Sequence, residues 1–142
     1  MPSISTITRT LLGLAFLTFG LNYFLHFIPE PAPSADVIAF MVPFIGAKYM
    51  GLVKVIEIGA GFALVANRFV PLALTLLAPI LVGITVFHVS LEPAGLPVPA
   101  VLIVLEIACV WFYRDAFAPM LHARTAPAPK ASAATNRGTV AA

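Results

Sequence analysis

Lys54 and Glu57 stand one helical turn apart inside an apolar stretch long enough to cross a membrane, and Glu106 stands alone inside another. A charge at the bilayer centre costs about 2.5–3.5 kcal/mol on insertion scales, so it carries a partner or a task. An amine, two carboxyls and the imidazoles of His26 and His88 could donate hydrogen bonds and relay protons beside an apolar slot. Asn22 and His26 are four apart, and Thr85 and His88 three apart, so each pair shares a helix face. Met50, Lys54, Glu57 and Gly61 form one stripe, and Cys109, Val110 and Tyr113 follow Glu106 on later turns. If Asn22, His26, Lys54, Glu57, Thr85, His88 and Glu106 all face inward, they share one polar pocket near the middle or in the outer half of the bilayer.

Each residue also has a plainer role. Lys54 and Glu57 can neutralise each other as an i,i+3 pair. Glu106 can donate one interhelical hydrogen bond from a protonated carboxyl. His26 and His88 can reach headgroups or water, and Asn22 can join helices. His26, Glu57, His88 and Glu106 are metal-ligand types, but none has a recognisable ligand spacing, so no metal is expected. Haem would require His26 and His88 both inside the bundle. There is no G-x-S-x-G, P-loop, dinucleotide fingerprint or C-x-x-C. The single Cys109 excludes an intramolecular disulfide and reads as a small buried hydrophobe.

The elements that must hold these groups are helices in lipid. The chain is 61% hydrophobic and 10% charged, against about 25% charged in soluble domains. Its mean hydropathy is +1.02. The apolar residues fall in long blocks, not in the dyad pattern of a barrel. Four blocks nearly exhaust the chain and leave no room for a separate soluble catalytic domain. The expectation is an all-α membrane protein, a four-transmembrane-helix bundle over residues 1–121, with helices at about 7–28, 47–66, 70–91 and 98–117. Ser34 and Asp36 cap a stretch from Val37 to Gly46, interrupted by Pro43 and too short to span, which reads as interfacial or re-entrant. Pro79, eased by Gly83, should kink the third helix. Residues 122–142, rich in Ala and Pro, read as a disordered tail.

With four spans, Arg9, Arg68, Arg114, Arg124, Lys130 and Arg137 share one side, and only Lys48 lies on the other. That bias puts both termini in the cytoplasm; the pI near 9.0 is thus a topology signal and not a nucleic-acid one.

Several segments together resemble the DoxX family of small bacterial membrane proteins. They are Leu12-Gly13-Leu14, Phe19-Gly20-Leu21-Asn22, Pro29-Glu30-Pro31, Glu57 with Gly61, Pro71-Leu72-Ala73-Leu74 and Leu77-Ala78-Pro79-Ile80. Phe87-His88, Glu92-Pro93-Ala94-Gly95-Leu96 and Tyr113-Arg114-Asp115-Ala116-Phe117 complete the match, from about Arg9 to Leu121. Gly83 departs from the Asn that often precedes the Phe-His segment, removing a polar contact. The resemblance implies a multi-pass protein of the bacterial cytoplasmic membrane with a link to quinone or sulfur redox work. It carries Glu57 and His88 over as pattern residues. It points to an accessory subunit of an oxidoreductase complex more than to an enzyme alone, with membrane redox proteins as partners and quinone as the ligand to test. An assembly protein without chemistry is the alternative, and a proton or small-solute pathway, which would need a homo-oligomer, is a third.

Overall fold

The computed structural model describes residues 2–29 and 31–124. Most of the expected tail, residues 125–142, and Glu30 of the Pro-Glu-Pro break lie outside the described residues. Six α-helices order the described chain: α1 (Ile4–Leu25), α2 (Ala35–Gly46), α3 (Tyr49–Val65), α4 (Val70–Ser90), α5 (Pro97–Phe112) and α6 (Arg114–Phe117).

Local chemistry sets the boundaries. Ser3 accepts a hydrogen bond from the Thr6 N–H, so α1 begins before the expected residue 7. It ends early because His26 turns left-handed, at φ 51°, ahead of the prolines that exclude helix. Ser34 caps α2 through the Val37 N–H, and Asp36 complements the positive end of that helix. Lys48, at φ 57°, breaks the chain between α2 and α3, and the two helices meet at 82°. α2 is therefore the separate short element foreseen between the first two blocks. Phe69 is also left-handed, and Pro71 then fits the first turn of α4. α4 continues as one helix through Pro79.

α1 packs against α3 and α5, and α4 packs against the same two helices, so the four close into a ring. The register of α1 and α3 is antiparallel: Gly13 faces Gly61, while Gly20 faces Lys54 and Ile58. Leu12, Phe16, Leu64, Leu74, Leu77 and Leu102 fill the centre. Comparably apolar side chains also point away from it. Leu52, Phe62, Val82, Val104 and Ile107 are each more than half exposed. Helices apolar on both faces match a lipid surround, not water.

Only α1 and α4 are individually long and apolar enough to cross a membrane, or three spans if α2 and α3 count as one broken span. The expectation of four spans is thereby narrowed. α3 has 17 residues and α5 has 16, the latter interrupted at Tyr113 before α6. What stands is an all-α protein with two or three candidate membrane spans.

Candidate functional site

Of the seven candidate residues, Lys54 and Glu57 find each other. Lys54 Nζ donates to both carboxyl oxygens of Glu57, at 2.9 and 2.8 Å. Glu57 is 1% exposed and the Lys54 side chain 16%. α1 packs against this turn, since a Cβ at Gly20 would stand 3.4 Å from the Lys54 carbonyl oxygen. Desolvating two charges is repaid only when geometry and hydrogen bonding are good, and here both acceptor atoms are engaged.

Asn22, His26 and His88 serve helix ends. Asn22 is buried, and its Oδ1 accepts from the Ile28 N–H at 2.7 Å, folding the chain back after α1. The His26 side chain is exposed, while its backbone N–H donates to the Asn22 carbonyl. His88 Nδ1 lies 3.2 Å from the Glu92 carbonyl oxygen and 4.0 Å from its carboxylate. The imidazole also lies so close to Gly95 that a Cβ there would collide with it. His88 therefore fixes the turn joining α4 to α5, at Pro93–Gly95, against the end of α4.

Thr85 and Glu106 share a groove between α4 and α5. Ala78, Leu81, Val82, Val86, Ile103 and Ile107 form the rest of its wall, around a cavity of about 230 Å³. Thr85 Oγ1 donates to the Leu81 carbonyl oxygen at 2.7 Å, a bond internal to α4. Glu106 is 6% exposed, and neither carboxyl oxygen has a hydrogen-bond partner among the described residues. Buried polar atoms are nearly always paired, so an unpaired carboxyl in an apolar wall is anomalous; among the described residues Arg9 Nε is likewise buried without a partner.

The single pocket expected to collect all seven side chains is thus divided: one closed ion pair, three groups at helix ends, and two residues in the α4–α5 groove. The physical reason is local competition. A hydroxyl, amide or imidazole within one turn of a helix carbonyl or terminus finds its partner there before reaching another helix. Among the described residues, no three His, Cys, Asp or Glu side chains group as a metal site requires.

Arg9, read in the sequence only as a basic residue on one side of the membrane, packs against the end of α3. It is 5% exposed inside the bundle, not a loop charge. Its guanidinium donates to the Leu64 carbonyl oxygen, and to that of Val65 at 3.3 Å. These carbonyls belong to the last turn of α3, where positive charge is favoured; that of Leu64 also accepts from the Asn67 N–H at 3.1 Å. The signal was present in the spacing: Arg9, Gly13, Phe16 and Gly20 recur at helical intervals on the buried face of α1. Arg9 and Glu106 both act electrostatically on Cys109, which is fully buried one turn beyond Glu106.

The fold and the site together define a helical protein of membrane character with a buried carboxyl beside a side-opening groove. No protein-family model, curated protein or solved structure matches this chain.

Proposed function

We propose that the chain is a four-span, DoxX-like protein of the bacterial cytoplasmic membrane. Both termini are cytoplasmic, and the protein serves as an accessory subunit of a quinone- or sulfur-linked redox system. The ring of α1, α3, α4 and α5 supports four crossings. The basic residues at chain turns support the orientation. The redox assignment rests on the family resemblance.

The observation that carries an accessory role is the distribution of polar contacts. Lys54 and Glu57 are committed to each other, and His88 to a turn. That leaves Glu106 as the carboxyl able to meet a lipid-soluble molecule. A group that docks or relays a proton suits a subunit working beside an enzyme. Of the seven candidates, Glu106 is therefore the one this reading places at a quinone headgroup.

The test is affinity purification from native membranes, with mass spectrometry of the bound proteins and lipids. Redox partners and an associated quinone are expected, together with lower membrane redox flux on deletion of the gene. Neither partner nor quinone, with unchanged flux, overturns the reading.

The closed Lys54–Glu57 pair favours a second reading, an assembly protein without chemistry. In that case Glu57→Gln lowers abundance while redox flux per remaining molecule stays constant.

A further inference from the structure

We infer that the α4–α5 groove is a binding site for a lipid-soluble molecule with an apolar body and a single hydrogen-bond donor, which enters sideways from the bilayer and donates to Glu106. This deepens the accessory-subunit reading and rests on the groove that reading uses, but it does not require that the ligand be a redox carrier.

Three observations converge. First, the wall is apolar apart from Thr85 and Glu106, and the Thr85 hydroxyl hydrogen is directed to the Leu81 carbonyl. Glu106 is therefore the group in the wall that can orient a polar headgroup, and a carboxyl accepts hydrogen bonds in either protonation form. Second, Glu106 is nine-tenths buried with both oxygens unpartnered. Leaving a buried acceptor unsatisfied is costly, and a donor from the ligand would recover that cost. Third, the groove opens outward. Val82, Val86 and Ile107 on its wall are each more than half exposed, on a face whose surroundings are lipid if α4 crosses the membrane.

Size sets the ligand class. A dry cavity of about 150 Å³ accepts a benzene-sized ring, and this groove encloses about 230 Å³. A single ring with a hydroxyl or amino group fits, and its tail can remain in the lipid. A ligand carboxylate or phosphate is disfavoured, because it would carry a further negative charge into an apolar wall.

The test uses the full chain in lipid nanodiscs and a hydrophobic carbodiimide as the probe. The Glu106 hydroxyl adds across one C=N bond, its proton going to nitrogen and its oxygen to the central carbon. Acyl transfer to nitrogen then leaves a stable acylurea that retains every atom of both reactants. Peptide mass spectrometry, at neutral and at mildly acidic pH, should place this adduct on Glu106. It should be missing from Glu57, whose oxygens are held by Lys54. Glu106→Gln should remove it. A long-chain alkylphenol should slow labelling several-fold, while its methyl ether, equal in shape but without a donor, should not. Val82→Trp, which fills the groove and leaves Glu106 in place, should block both labelling and protection.

Absence of an adduct on Glu106 at either pH overturns the inference, as does equal protection by phenol and ether. These results are independent of partner capture and redox flux, so failure of the site and failure of the redox reading are distinguishable. A phenol that protects supports the site whatever partner capture and redox flux show, and the redox assignment stands or falls on those alone.

Discussion

The contact between α1 and α3 yields the sharpest quantitative prediction. A Cβ added at Gly61 would lie 2.8 Å from the Gly13 carbonyl oxygen and 3.0 Å from the Leu17 amide nitrogen. Ordinary contact begins at 3.4 Å, so the shortfall is about 0.6 Å. Both obstacles are backbone atoms and cannot rotate away. Gly61→Ala must therefore push the two helices apart, at a packing cost of about 1–3 kcal/mol. Against this, replacing a helical Gly with Ala gains about 1 kcal/mol of helix propensity. Gly59, two residues earlier in the same helix, has nothing within 4 Å of its added Cβ. Gly59→Ala should keep the propensity gain without the clash. The propensity contribution cancels between the two variants, and their difference of about 1–3 kcal/mol measures the helix contact itself. Gly13→Ala combined with Gly61→Ala should be less than additive, since one separation relieves both clashes. Unfolding in mild detergent titrated with a denaturing detergent, followed by circular dichroism, gives the free energies. If Gly61→Ala stabilises the protein as much as Gly59→Ala does, the close approach of α1 to α3 is wrong.

Lys54→Met should destabilise the fold by about 3 kcal/mol, because it strands the Glu57 carboxylate in the interior; adding Glu57→Leu should recover most of the loss. The same unfolding titration checks this, and a single variant as stable as the parent would remove the pair from the structural account. Arg9→Met should cost about 1–3 kcal/mol by leaving the Val65 carbonyl without its donor and the Leu64 carbonyl with the Asn67 N–H alone. Arg9→Lys should restore part of it. Hydrogen exchange should locate the loosening in the last turn of α3, and uniform protection there would contradict the contact.

Legibility in the sequence followed the range of the interactions. The α2 element was readable because Ser34, Asp36 and Pro43 act within a turn of themselves. The Lys54–Glu57 pair was readable for the same reason, as one of the alternatives at i,i+3 spacing. Two further features, Arg9 and the groove at Glu106, depend on other parts of the chain, and a third turned on the choice among local partners. Arg9 acts on carbonyls 55 and 56 residues away, and its position near the N-terminus concealed that. His88 and Thr85 share a helix face, which suggested a joint site, yet one closes on Glu92 and the other on Leu81. Glu106 was recognisable by the cost of a carboxyl in an apolar helix. Its groove was not, because five of the other wall residues, between Ala78 and Val86, come from α4 and meet Glu106 only through helix packing.

The ring alternates long and short members. α1 and α4 have 22 and 21 residues, and α3 and α5 between them have 17 and 16. At about 1.5 Å per residue the long pair reaches roughly 32 Å and the short pair roughly 25 Å. In the four-span arrangement proposed above, a bilayer with a hydrocarbon core of about 30 Å cannot match both. Lipids beside α3 and α5 must compress, or the long helices must tilt, at fractions of a kcal/mol per ångström of mismatch. A change in acyl-chain length then acts unequally on neighbouring helices and becomes a shear across their contacts. Membrane thickness is thus a mechanical input to the α4–α5 contact where Glu106 lies.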